Sequence, residues 1–167
     1  MIHQLYAYLR VSDSARALDF YSKAFGATEK FRLTEPSGRI GHMELDFHGT
    51  TLMISDEFPE FAMKGPQAGD SSSVSLHLHV DNADALVQRA LDAGATLQMA
   101  CTDQFYGERT GIIIDPFGHR WMIGQEIEKL TPKEMQRRYT AMTQQVCRRI
   151  SLPCGVSPST TRPKSAA

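Results

Sequence analysis

The sequence predicts an α+β fold of two tandem βαβββ modules that form a half-open, mostly antiparallel curved sheet, followed by a C-terminal helix. Three observations carry that expectation. Two stretches, Glu44 to Ile54 and Gly111 to Ile123, share one grammar: an apolar run, a tight turn, and a second apolar run, as in a β-hairpin. Asp46 and Gly49 stand in the first as Asp115 and Gly118 stand in the second. Ahead of each hairpin comes an alternating strand, a capped helix and the triplet Gly26-Ala27-Thr28 or Gly94-Ala95-Thr96. Between the copies, residues 56 to 73 collect Pro59, Gly65, Pro66, Gly69 and a serine run, the composition of a connector placed to serve as a flap. The duplicated unit spans about 3–56 and 73–126 of a single domain, 1–127, and its ligand site is expected between the copies.

Each element has its own signal. Leu5, Ala7, Leu9 and Val11 alternate with Tyr6, Tyr8 and Arg10, a strand with two environments. Ser12 or Asp13 caps a helix whose apolar positions Ala17, Phe20, Tyr21, Ala24 and Phe25 recur at helical spacing, and Gly26 ends it. A strand from about Thr28 to Leu33 and the Pro36-Ser37-Gly38 turn lead into the first hairpin. The second module repeats the order with a strand from Val74 to Val80, a cap at Asp81 or Asn82, a helix, a strand near Thr96 to Cys101, and the loop Thr102 to Arg109. Thr131-Pro132-Lys133-Glu134 then reads as a capping box with Pro at the first helical position. Met135, Tyr139, Met142 and Val146 give that amphipathic helix, about 128–150, one apolar stripe. The Ser/Thr/Pro-rich stretch 151–167 reads as a disordered tail.

Composition narrows the function. A chain of 167 residues with a formal charge of −1 buries enough surface for an ordinary core, about 70% for a domain of roughly 150 residues. It carries no basic block suited to nucleic acid or an anionic membrane. No run approaches the ~18 apolar residues of a membrane span, and Met1-Ile2-His3-Gln4 does not begin a secretory signal, so a cytoplasmic protein with a small-molecule ligand is expected. Cys101, Cys147 and Cys154 are odd in number and lack CxxC spacing, which argues against both a disulfide framework and a zinc site.

Two-residue turns at His48-Gly49 and Phe117-Gly118 would pair Leu45 with Leu52, Glu44 with Met53, Ile114 with Trp121 and Ile113 with Met122. Sorting by parity then gives an apolar layer under the helices, including Leu9, Leu45, Ile54, Leu76, Ile112, Ile114, Trp121 and Ile123. The opposite face collects Tyr6, Tyr8, Arg10, His42, Glu44, Met53, Ser75, His77, His79, Arg109, Ile113, Arg120 and Met122. An antiparallel sheet often has one wet face. Tyr, Met and Ile mixed among the charges suit a concave pocket better.

Arg10-Val11-Ser12-Asp13 before Asp19-Phe20-Tyr21, together with Asp115-Pro116-Phe117-Gly118-His119-Arg120-Trp121, resemble the vicinal oxygen chelate superfamily over about residues 3 to 126. That superfamily includes glyoxalase I, bleomycin-resistance proteins, fosfomycin-resistance enzymes and extradiol dioxygenases. Gly41-His42-Met43-Glu44-Leu45, Ser55-Asp56-Glu57 and Asp103-Gln104-Phe105-Tyr106-Gly107-Glu108-Arg109 resemble its phosphonate-operon-associated branch. The resemblance implies metal ligands on the first and last strand of each module, which fall here on Tyr6, Met53, Ser75 and Met122. Thioether and neutral hydroxyl are poor donors for Zn, Ni, Mn or Fe(II), so no metal cofactor is expected there.

The expected function is metal-independent binding of a small aromatic or hydrophobic molecule, as in the drug-sequestering members, with Tyr6, Tyr8, His42, Met53, Ser75, His77, Tyr106, Arg109 and Met122 around it. Rings would stack on the ligand while Arg or His anchors its polar groups. The loop bearing Tyr106 and Arg109 is expected to border that site. The alternative is a lyase, isomerase or dioxygenase-like enzyme with Glu44 as general base, or with a divalent metal relocated to His42, Glu44, His77 and His79. Each histidine is more often hydrogen-bonded or solvated than a ligand. The apolar stripe of the last helix and the half-open sheet suggest a homodimer.

Overall fold

The computed structural model describes residues 1–67 and 73–149. Each module builds one four-stranded mixed sheet. In the first, β1 (Ala7–Val11), β2 (Thr28–Thr34), β3 (Ile40–Phe47) and β4 (Thr50–Asp56) lie in the order β1-β4-β3-β2. In the second, β5 (Ser75–His79), β6 (Thr96–Asp103), β7 (Glu108–Ile114) and β8 (Arg120–Glu126) lie in the order β5-β8-β7-β6. The first strand of each sheet pairs in parallel with the last, and the other pairings are antiparallel. The two-module α+β architecture expected from the repeat is present, as two sheets of four strands.

Helices α1 (Ser14–Phe25) and α2 (Ala83–Asp92) follow β1 and β5. Asp13 accepts from the Arg16 N–H at 2.9 Å, and Asn82 from the Ala85 N–H at 2.9 Å, so each helix has a side-chain N-cap. The pseudo-symmetry extends to what holds those helix starts. Asp56 accepts the Ser14 N–H at 2.7 Å, and Gln125 accepts the Ala83 N–H at 3.2 Å. Asp56 also takes the Ile40 N–H at 2.7 Å and Glu57 the Gly65 N–H at 2.7 Å, which gives the Ser55-Asp56-Glu57 motif structural work.

The apolar faces meet in one core of Val11, Ala17, Tyr21, Phe25, Leu45, Ile54, Val87, Ala90, Ile113, Trp121 and Ile123 among others. Its polar centre is Asp115, which is 4% exposed. Its carboxylate accepts the Phe117 and His119 backbone N–H groups, both at 2.9 Å, the Trp121 Nε1–H at 2.9 Å, and the Tyr21 hydroxyl at 2.8 Å. Burial, followed by the charge of Asp115 and the hydrogen bond to it, pushes the Tyr21 phenol well above its usual pKa.

The two hairpins differ by one residue. His48 and Gly49, at φ of 51° and 93°, make a two-residue turn that pairs Phe47 with Thr50 and Glu44 with Met53, as expected. In the second, the Asp115 N–H bonds to the His119 carbonyl and Gly118, at φ 89°, bonds back to Asp115. That turn holds three residues, so Ile113 pairs with Trp121 and Ile112 with Met122. A one-residue slip exchanges the faces of a strand. This corrects the expected parity of β7: Arg109, Gly111 and Ile113 lie on the helix side, and Glu108, Thr110, Ile112 and Ile114 on the other.

Contacts divide the chain into two units. Among the described residues, 1–104 with 108–127 form the first, and Phe105–Gly107 with 128–149 form the second. In the second unit α3 (Pro132–Arg149) starts at Thr131, whose hydroxyl accepts the Glu134 N–H at 3.2 Å. Phe105 packs its ring on Tyr139 at 5.3 Å, and Arg138 pairs with Glu128 and Glu134. Of the expected stripe, Tyr139 and Met142 are 47% and 39% exposed. The side chain of Val146 and the tail 151–167 lie outside the described residues. Among the described residues no helix is long and apolar enough to cross a membrane.

Replacing Asp115 by Ala should destabilise the fold by more than about 3 kcal/mol in urea unfolding, because four donors, three of them buried, lose their acceptor. The phenol of Tyr21 adds a pH dependence. Its folded pKa is raised, so its stabilisation is complete below the unfolded value of about 10 and fades as pH rises toward the folded value. Tyr21→Phe should therefore be less stable than the parent at pH 8, with a gap that narrows above about pH 10.

Candidate functional site

On the open face of the first module, the register sets Tyr8 beside Met53 and Met53 beside Glu44. The Tyr8 hydroxyl lies 3.0 Å from His42 Nδ1 and 3.3 Å from the Gly41 carbonyl. His42 Nε2 stands 3.7 Å from Glu44, which also faces Lys30 at 3.4 Å. The Phe31 ring lies 5.5 Å from that of His42. Polar groups and rings therefore alternate across a surface on which Tyr8 is 42% and Phe31 44% exposed.

The open face of the second module carries different chemistry. His77 sits opposite Met122, and His79 opposite Gly124. Their rings are 4.5 Å apart, and each points its Nε2 at Glu108, 3.6 Å from Oε2 and Oε1 respectively. Burial first, and the charge of His79 second, hold the His77 pKa below its usual value, while Glu108 pulls the other way.

Between the modules lies a groove of about 570 Å³. Edge strands β1 and β5 border it, with Leu9 and Leu76 supplying apolar wall and Arg10, Lys64 and Arg120 supplying positive charge. Arg10 stacks on the Tyr8 ring at 4.1 Å and donates to Ser55 at 2.9 Å. Arg120 donates to Ser75 at 2.5 Å and to Gln98 at 2.8 Å. Among the described residues none of the three cations forms an ion pair. Gly65 packs so closely on the Arg10 carbonyl that a Cβ there would approach to 2.5 Å, and His119 Nε2 lies 2.9 Å from the same carbonyl. The backbone of Arg10 is thereby held from both the connector and the second module.

The residues expected at the site thus fall into separate groups. Tyr8, His42, Glu44 and Met53 share the first open face; Ser75, His77, His79 and Met122 share the second. Tyr6 precedes β1, is 37% exposed and bonds to Gln4. Arg109, expected on the open face, turns to the helix side, where it grips Asp84 at 2.6 Å and Asp103 at 2.9 Å. Tyr106 belongs to the second unit, edge-on to Phe105 at 5.1 Å. The four-residue set His42, Glu44, His77 and His79 divides as well: Glu44 answers Lys30 and His42, and the carboxylate that meets the paired histidines is Glu108. Sequence reasoning missed Glu108 because parity along β7 was counted from a turn one residue too short. Reading Asp115-Pro116-Phe117-Gly118 as a type I turn closed by a glycine at positive φ would have put Glu108 on the histidine face. Lys64 was missed as a groove residue because it comes from the connector, and Arg120, placed on the open face by parity, meets Arg10 there only through the packing of the two modules.

The chain belongs to the glyoxalase/bleomycin resistance protein/dioxygenase superfamily, whose family model matches residues 2–123. An uncharacterized protein of Mycobacterium bovis is 41% identical over 132 residues, covering 77% of this chain and 87% of that one. An uncharacterized Arabidopsis thaliana protein is 26% identical over 129 residues, 72% of this chain and 76% of its own. Among solved structures, TioX from Micromonospora sp. ML1 shares the fold with a TM-score of 0.59 at 24% identity, covering 75% of this chain and 99% of that one. A Pseudomonas aeruginosa protein gives 0.59 at 26% identity, with 75% and 98% covered.

The metal positions of that superfamily are not suited to a metal here. Tyr6 and Ser75 offer neutral hydroxyls, and the Ser75 hydroxyl already serves Arg120; Met53 and Met122 offer thioethers, which hard or borderline cations bind poorly. Substituting Tyr6 or Ser75 by Ala should leave the metal content of dialysed protein unchanged by elemental analysis. Loss of a stoichiometric ion from either variant would return the metal to the family position.

Proposed function

We propose that the protein binds a small anionic molecule with a planar or apolar body in the groove between its two modules, without a metal at the superfamily's position. One observation supports this most directly: Arg10, Lys64 and Arg120 converge on an apolar-walled groove that no carboxylate lines among the described residues. Guanidinium groups held by neutral partners keep free N–H donors for a carboxylate, sulfonate or phosphate. The Tyr8 ring, already under Arg10, supplies stacking surface beside the charge. A general-base enzyme built on Glu44 has less support, because that carboxylate is engaged by Lys30 and His42. The proposal extends to a cytoplasmic homodimer and, on the motifs around Gly41, Ser55 and Asp103, to the phosphonate-operon-associated branch.

The test is isothermal titration with 8-anilinonaphthalene-1-sulfonate, an aromatic probe with one fixed negative charge. Arg10→Ala and Arg120→Ala should each weaken binding about tenfold or more, the scale of a lost charged hydrogen bond of about 1.5–3 kcal/mol. Arg120→Lys should recover part of the loss. Equal affinity in the parent and in a folded double-Ala variant would remove the groove from consideration.

A further inference from the structure

The second open face holds an arrangement that the groove does not use. His77 and His79 are two residues apart on an exposed edge strand, where neighbours on one face are about 6.6 Å apart along the chain. Their rings are nonetheless drawn to 4.5 Å and tilted by only 32°. What they converge on is Glu108, which arrives from β7, two strands away across β8. The residue between is Gly124, paired with both His79 and Thr110. A Cβ at Gly124 would come within 2.7 Å of both Glu108 Oε2 and His77 Nε2, so only glycine leaves the two side chains room to meet above the strand.

The meeting is not a hydrogen bond. The two N···O separations are 3.6 Å, and one donor atom from each of the three residues lies within 4.8 Å of the others. Glu108 Oε2 is buried and has no hydrogen-bond partner. A buried carboxylate oxygen without a donor is costly unless something positive answers it. A cation held between the carboxylate and the two imidazole Nε2 atoms, each 3.6 Å from it, would answer it. A neutral imidazole is the form that ligates a metal.

We propose that His77, His79 and Glu108 bind a divalent transition-metal ion. Two imidazoles and one carboxylate form a donor set for Zn, Ni, Co or Fe(II). Ligands about 2.1 Å from a tetrahedral ion stand about 3.4 Å apart, so the two His–Glu separations of 3.6 Å need to close by only a few tenths of an ångström, and the widest separation in the set, within 4.8 Å, by up to about 1.4 Å. His79 is 64% exposed along its side chain, which leaves the remaining coordination positions open to water or to a ligand with oxygen donors. A second groove, of about 660 Å³ and lined by Phe47, His48, Leu86 and Arg89, opens beside both histidines. This site is displaced along β5 from Ser75, and it shares no residue with the cationic groove.

The test uses tag-free, full-length protein stripped with chelator and titrated with Co(II) and Zn(II), followed by calorimetry, cobalt absorption and elemental analysis after dialysis. The parent should retain one ion per chain, with visible cobalt bands of a nitrogen- and oxygen-ligated centre. His77→Ala and Glu108→Gln should each weaken binding roughly 100-fold or more, beyond what loss of an outer-shell partner costs, and Ser75→Ala should match the parent. His79→Ala, at the more exposed ligand, keeps the test informative if either of the other variants fails to fold by circular dichroism. A parent that retains no ion, or an ion retained equally by folded His77→Ala and His79→Ala, overturns the proposal. Either result leaves the groove reading untouched, because that depends on Arg10, Lys64 and Arg120.

Discussion

Everything in the first unit depends on one buried carboxylate. Asp115 sits among the aromatic rings of the core, where an unpaired charge would be untenable, and it persists because four donors converge on it. Two of those are backbone N–H groups of its own turn, so the charge dictates the turn geometry. The third is Trp121 in the strand that follows. The fourth is Tyr21, from the helix of the other module, and through it the second hairpin is pinned to the first half of the chain. Because burial keeps the Tyr21 phenol protonated, that link is a donor to a charge under ordinary conditions.

The turn that Asp115 imposes is also what makes the two halves unlike. Its counterpart, Asp46, only caps a two-residue turn, accepting the Gly49 N–H at 3.0 Å. The extra residue in the second turn shifts the register of β7 by one position against its repeat. Glu108 therefore rises on the face of His77 and His79, while Arg109 turns to Asp84 on α2. A duplicated sequence has in this way produced two open faces with separate chemistry: Tyr, His, Glu and Lys on one, two His and a Glu on the other. Function resides in such sites rather than in the architecture that carries them.

The groove between the modules follows from the same pinning. His119, held by the Asp115 turn, reaches the Arg10 carbonyl, and Gly65 presses on that carbonyl from the connector. Arg10 is thus fixed in backbone and, through Tyr8 and Ser55, in side chain. Preorganised cations with neutral supports suit an anionic ligand better than a flexible lysine surface would.

Much of the fold was legible in the sequence. The βαβββ order, caps at Ser12 or Asp13, at Asp81 or Asn82 and at Thr131, the glycine after α1 and the pairing of Glu44 with Met53 all rest on local chemistry: alternation, side-chain capping and positive φ. The poor donors at Tyr6, Met53, Ser75 and Met122 were equally readable, because ligand chemistry is a property of residue type. What tertiary structure alone decided was how Asp115 would be used. Asp-Pro-Phe-Gly is compatible with a loop of two or three residues, and the choice came from Tyr21 and Trp121, distant in the chain and adjacent in the core. From that choice follow the side of the sheet on which Glu108 and Arg109 stand, and the meeting of Arg10, Lys64 and Arg120 across a boundary between modules. Such meetings depend on packing between elements far apart in the chain, and periodicity along a single strand carries no record of them.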